Sequence, residues 1–117
     1  MLPKEQQEEM APFQAEMCGA LANPQRVLML CALAERPYHV SGLAERLGIS
    51  QPLASRHLKV LREQGLVCAQ RKGAMVEYRL ADQRLLEALR LMRAVLQDRF
   101  ARRASLLDAA DTPSGVR

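Results

Sequence analysis

The sequence predicts a small, mainly α-helical domain with one β-hairpin set between its fourth helix and a long last one. Three observations carry this: four helical segments before Gly65, strand-like alternation just after it, and helical spacing again from about Asp82. At 117 residues there is room for one domain with a real core, and 49% of the residues are apolar. Aromatic residues make up only 3%, so that core must be built from Leu, Val, Ala and Met.

Residues 1–9 are polar and are expected to form a flexible N-terminus. From Met10 the apolar positions run Met10, Phe13, Met17 and Leu21, a helical stripe. Asn23 is suited to cap a second helix with Pro24 at its first position, and Val27, Leu28, Leu30, Cys31 and Leu33 form its apolar side until Arg36 and Pro37. Residues 41–47, SGLAERL, read as a third helix stopped by Gly48. Ser50 caps a fourth, which runs to about Gln64 and stops at Gly65. Residues 66–71 and 75–80 are short strands around Lys72, Gly73 and Ala74, a hairpin with a basic tip. In the second strand Val76, Tyr78 and Leu80 alternate with Glu77 and Arg79, as a half-buried strand should. The last helix carries Leu85, Leu89, Met92 and Leu96 at spacings of four, three and four, a seam of the kind that pairs helices. Residues 10–104 thus form the folded domain, and residues 105–117, with DAADTPSG, are expected to be a disordered tail.

The net charge is +4, unevenly placed. Residues 1–20 carry Lys4 against Glu5, Glu8, Glu9 and Glu16, whereas residues 50–79 carry Arg56, Lys59, Arg62, Arg71, Lys72 and Arg79 against Glu63 and Glu77. A basic segment in one part of a chain suits an anionic polymer, and nucleic acid is the usual one. No apolar run approaches the roughly 18 residues of a membrane span, and the N-terminus is acidic where a signal peptide is basic. The expectation is a cytoplasmic protein with no membrane partner. Three cysteines without CxxC spacing argue against a disulfide framework and a zinc ribbon. No nucleophile–base pair, glycine-rich phosphate loop or metal constellation points to an enzyme, and no cofactor is expected.

Two short helices joined by Gly48, Ile49 and Ser50, then a basic hairpin, have the order of a winged helix-turn-helix. Leu43, Leu47, Leu53, Leu58 and Leu61 would pack the helix pair, with Ile49 as an apolar plug. Gln51, Ser55, Arg56 and Lys59 are left outward near the start of the second helix, where a recognition helix meets base edges. Gln can pair with adenine and Arg with guanine, while Ser and Lys hold phosphate. Ser50, His57 and Arg62 complete the expected helical contact set, with His57 reading either as a packed residue or as a phosphate contact. The wing tip (Arg71, Lys72, Gly73) would reach the flanking backbone or minor groove. A winged helix reused as a protein-interaction adaptor is the competing reading, since fold does not fix function; it makes Arg56, Lys59, Arg71 and Lys72 dispensable.

The stretches ALANPQRVLMLCAL, SGLAERLGISQPLASRHLKVLREQGLV and RKGAMVEYRL resemble the ArsR/SmtB family of bacterial repressors over about residues 13 to 98. The most specific match is Ser50, Leu53, Ser55, His57, Leu58 and Leu61. MarR-type winged helices are similar but normally longer, and they lack the ALANPQR stretch. The resemblance implies a homodimer whose first and last helices form the interface, through Phe13, Met17, Leu85, Leu89, Met92 and Leu96. It also implies repression by occupying a near-palindromic operator in double-stranded DNA.

Members of that family usually release DNA on binding a metal or on reaction at thiols. The arsenic and cadmium site resembles ELCVCDL, but this chain has His39, Val40, Ser41, Gly42 and Leu43 in that stretch. The zinc-type site on the last helix keeps Asp82, while Arg84, Val95 and Asp98 stand near the other ligand positions. Neither donor set suits a transition metal, so no metal site is expected. Cys31 falls where thiol-switch members place one reactive cysteine, but the partner position, near Gln97, lacks one. Cys31 reads either as a small buried core residue or as a thiol sensor, with Cys18 and Cys68 as further candidates.

Overall fold

The computed structural model describes residues 2–111. The elements are α1 (Lys4–Ala20), α2 (Pro24–Glu35), β1 (Tyr38–His39), α3 (Val40–Leu47), α4 (Gln51–Glu63), β2 (Val67–Lys72), β3 (Met75–Leu80) and α5 (Arg84–Asp111). The chain divides into two compact units at Leu86, the second being the α5 segment from Glu87 onward.

In the first unit α2, α3 and α4 pack on one another and on the sheet. Met29, Leu30, Leu43, Leu58, Leu61 and Leu66 are fully buried, an aliphatic core as the composition requires. One aromatic joins them: Tyr38 is buried beneath the Arg36 guanidinium, 3.9 Å from its ring centroid, and its hydroxyl accepts from Arg46. Arg46 also holds Glu35 by two hydrogen bonds of 2.8 and 2.9 Å, so α3 is braced against the end of α2.

The caps follow the local sequence. Asn23 Oδ1 accepts from the backbone N–H groups of Gln25 and Arg26, and Ser50 Oγ accepts from Leu53 N–H. Gly48 ends α3 at φ +69°, a conformation that lets the chain reverse at once into α4. Asp82 accepts from the Arg84 N–H, and the Arg84 guanidinium beside it holds its carboxyl down at about 2.

Four expectations are corrected. The sheet has three antiparallel strands in the order β1-β3-β2, because Tyr38 and His39 pair with Tyr78 and Glu77; two residues are too few to show alternation. Helix α1 begins at Lys4, so most of residues 1–9 is helical, supported by Glu5 in the first turn and Lys4 4.0 Å from Glu8. Helix α5 continues to Asp111, so residues 105–111 are helical and not a disordered tail. The run ARRASLLDAAD is rich in strong helix formers, and the later part of the expected tail lies outside the described residues. Glu77 is half-buried rather than on a plain solvent face, because the side chains of Lys72 and Arg79 close over its carboxylate.

Candidate nucleic-acid interface

Helix α4 has two faces. Ala54, His57, Leu58 and Leu61 are buried, while Gln51, Ser55, Arg56, Lys59 and Arg62 are exposed. Pro52 suits the first turn, where its missing N–H removes nothing from the helix. The exposed set therefore starts one residue after a tight turn and continues along one helix, with Ser50 exposed but its Oγ engaged in the cap. Among the described residues no ion pair involves Arg56, Lys59 or Arg62, so their charge is uncompensated.

The wing is compact. Strands β2 and β3 pair from Val67↔Leu80 to Lys72↔Met75, leaving Gly73 and Ala74 as a two-residue turn. Gly73 has φ +64° and no other residue of the turn has positive φ, which fits a type II′ hairpin. Arg71, Lys72 and Gly73 are all exposed at the tip. A network that the sequence reading missed limits the charge there. Glu77 Oε1 lies 3.1 Å from Lys72 Nζ and 3.1 Å from the Arg79 guanidinium, which also donates to Gln70 Oε1 at 3.2 Å. Hydrogen bonds from Lys72 and Arg79 hold the Glu77 carboxyl below its ordinary range. Opposite charges on facing strands near a hairpin turn were the available signal.

His57, included in the expected contact set but left between packing and phosphate, is corrected to the packed side: it is buried, 7% exposed, on the inner face of α4. Its Nε2 lies 2.7 Å from Gln25 Oε1, and its Nδ1 lies 3.4 Å from the Arg26 guanidinium. A guanidinium only donates, so Nδ1 accepts and the ring proton sits on Nε2. Burial first, then the charges of Arg26 and Arg56, push the imidazole below its usual value. The spacing did carry the signal: His57 is three residues after Ala54 and four before Leu61, on their face.

Phe13, Met92 and Leu96 are exposed, Met17 is just so, and Leu85 and Leu89 are half-exposed. Leu91, Val95, Phe100, Leu106 and Leu107 extend the exposed apolar surface of α5 beyond the expected seam. The three cysteines form no disulfide: Cys18 and Cys68 are exposed, and Cys31 is half-exposed rather than a core residue. Among the described residues no three His, Cys, Asp or Glu side chains gather where they could hold a metal. No single helix among them is long and apolar enough to cross a membrane.

A helix-turn-helix with an exposed cationic second helix, followed by an antiparallel wing, is the architecture of winged-helix DNA-binding regulators. Residues 23–68 match the family described as bacterial regulatory protein, arsR family. The Biofilm growth-associated repressor of Agrobacterium fabrum is 38% identical over 91 residues, covering 75% of this chain and 78% of that protein. Among solved structures, NolR from Sinorhizobium fredii matches with a TM-score of 0.70 at 33% identity, over 81% of this chain and 94% of that one. The homodimeric winged helix-turn-helix DNA-binding domain Mb0332 from Mycobacterium bovis matches with a TM-score of 0.74 at 28% identity, over 84% and 91%. The chain belongs to the bacterial arsR family of regulatory proteins.

Proposed function

We propose that this protein is a homodimeric transcriptional repressor that occupies a near-palindromic operator, with α4 in the major groove and the β2–β3 wing on the flanking backbone. One observation carries the reading: α4 presents Gln51, Ser55, Arg56, Lys59 and Arg62 together, with three cations that no acidic side chain compensates among the described residues. Arg56 and Gln51 are suited to base edges, and Lys59, Arg62, Ser55 and Arg71 to phosphate. The exposed apolar residues of α1 and α5 supply surfaces for a second copy, and a dimer would present two reading helices to two half-sites. The repressor named above and the homodimeric domain from Mycobacterium bovis support both halves of the reading. The protein acts by binding, not by catalysis, in the cytoplasm where its DNA lies.

Gel shifts on the DNA upstream of the protein's own gene test it. A preferred duplex is expected, with affinity falling by orders of magnitude between about 50 and 200 mM salt if roughly six or more phosphates are neutralised. Equal binding to the upstream DNA and a random duplex at moderate salt would leave the protein-interaction adaptor as the better reading.

A further inference from the structure

Besides Tyr38, His57 is the one buried side chain with a polar group among the described residues, and it belongs to a chain of contacts that crosses three helices. From α4 the ring donates through Nε2 to Gln25 Oε1 at 2.7 Å and accepts at Nδ1 from Arg26 at 3.4 Å. Arg26 in turn donates through Nε to the carbonyl of Ala20, at 2.6 Å, in the last turn of α1. The Asn23 cap fixes the backbone of both Gln25 and Arg26, so the anchoring end of the chain is rigid. Directly across α4 from this ring lie the exposed residues that would meet DNA.

We propose that His57 is a positioning residue for operator binding: as a neutral imidazole it ties α4 to α2 and, through Arg26, to α1, and its protonation loosens the reading helix and weakens specific binding. The inference rests on the reading of α4 as the DNA-contacting helix. The chemistry of the link is one-sided. Arg26 can only donate, so a second proton on the ring, at Nδ1, sets N–H against N–H and cation against cation. Arg26 cannot turn away to relieve this without leaving Ala20, and the ring cannot turn away without leaving Gln25.

The charges that bear on the ring are Arg26 from α2 and Arg56 from α4 itself. Helix α1 meets the network through the Ala20 carbonyl. Arg46 of α3 is turned to Glu35 and Tyr38, and Glu45 lies beside that cluster. On β2, Arg71 and Lys72 lie at the wing tip, and Cys68 Sγ faces the Arg79 carbonyl. Both charges acting on the ring are therefore positive, and both favour the neutral form together with burial.

The predicted sign is opposite to that of general electrostatics. Acidification adds positive charge and so tightens binding to any duplex. Loss of the His57 link instead lowers operator affinity and the preference for operator over random DNA. Linkage sets the size: below the ring's titration, each protomer that must release one proton to bind loses up to about tenfold in affinity per pH unit.

The test measures operator and random-duplex affinities of the full chain from about pH 8 to about pH 5.5 at constant ionic strength, with circular dichroism confirming the fold. Wild type should lose operator affinity on acidification, whereas His57→Gln, neutral at that position throughout, should show no such loss. Gln25→Glu should move the onset to higher pH, since a carboxylate at Nε2 favours the imidazolium. That variant decides the matter even if His57→Gln fails to fold. Operator preference at pH 8 with parallel profiles for wild type and His57→Gln, or an unmoved onset in Gln25→Glu, overturns this proposal alone. No operator preference at pH 8 overturns the DNA-binding reading and the proposal with it.

Discussion

Lys72 at the wing tip lies 3.1 Å from the carboxylate of Glu77 on the opposite strand, so one cation at the tip is already partnered before any DNA arrives. The same carboxylate holds Arg79. Glu77→Gln should therefore strengthen binding to all duplexes alike and steepen the salt dependence, by up to about 0.9 in the log–log slope for each phosphate gained per wing. The network also has a pH signature. A carboxyl held below its ordinary 4.5 in the fold contributes fully above that value and is lost as pH falls through its depressed one. Wild type and Glu77→Gln should thus differ in thermal stability near neutrality and converge in strong acid. A variant with unchanged salt slope would show that the wing tip does not touch DNA.

Arg56 is exposed on the outer face of α4 and makes no ion pair among the described residues. Arg56→Ala should relax sequence preference at one position of each half-site, by about 1–3 kcal/mol if it reads a guanine. Lys59→Ala should instead weaken operator and random DNA together. Competition assays with single-base operator variants separate the two outcomes, and a uniform loss in Arg56→Ala would reassign that residue to phosphate.

Leu89 and Leu85 are half-exposed and Met92 and Leu96 exposed, a stripe too apolar to remain in water on a chain this small. Leu89→Glu should give monomers or insoluble protein and abolish operator binding. Sedimentation velocity checks this directly. A stable folded wild-type monomer at micromolar concentration would contradict the dimer.

Neither metal site that the family resemblance implies keeps a full ligand set, so stoichiometric zinc, cadmium, nickel or cobalt should leave the protein on its DNA. A thiol-directed signal is the alternative. Cys31 is only partly exposed on α2, while Cys18 and Cys68 are exposed. If a polysulfide or peroxide releases DNA, Cys31→Ser should bind the operator normally when reduced and ignore the reagent. Mass spectrometry beside the gel shift decides it: release while all three thiols remain unmodified rules out the switch.

The order of helices and strands was legible because caps and apolar periods agree: Asn23, Ser50 and Gly48 mark ends that the structure keeps. The two chain ends were less legible. Pro12 favours a helix start just before it, yet α1 begins eight residues earlier and continues through it. DAADTPSG suggests disorder by composition, but its first residues continue α5. The outward set on α4 followed from position alone, whereas His57 was left between packing and phosphate although its spacing already put it inside. The links of Gln25 and Arg26 to His57 went unnoticed because they join residues about thirty positions apart. Such pairings need the fold before they can be seen, whereas the Glu77 network could have been read from the hairpin.

The strand order β1-β3-β2 leaves β2 with one row of backbone donors and acceptors unpaired within the sheet. An open edge of that kind is a template for another chain's strand, and long cationic side chains are a common guard against it. Arg71 and Lys72 stand on that edge, at its exposed end. On the proposed reading the same two side chains would thus answer to solubility as well as to DNA. A wing neutralised to weaken operator binding would also lose its protection against self-association.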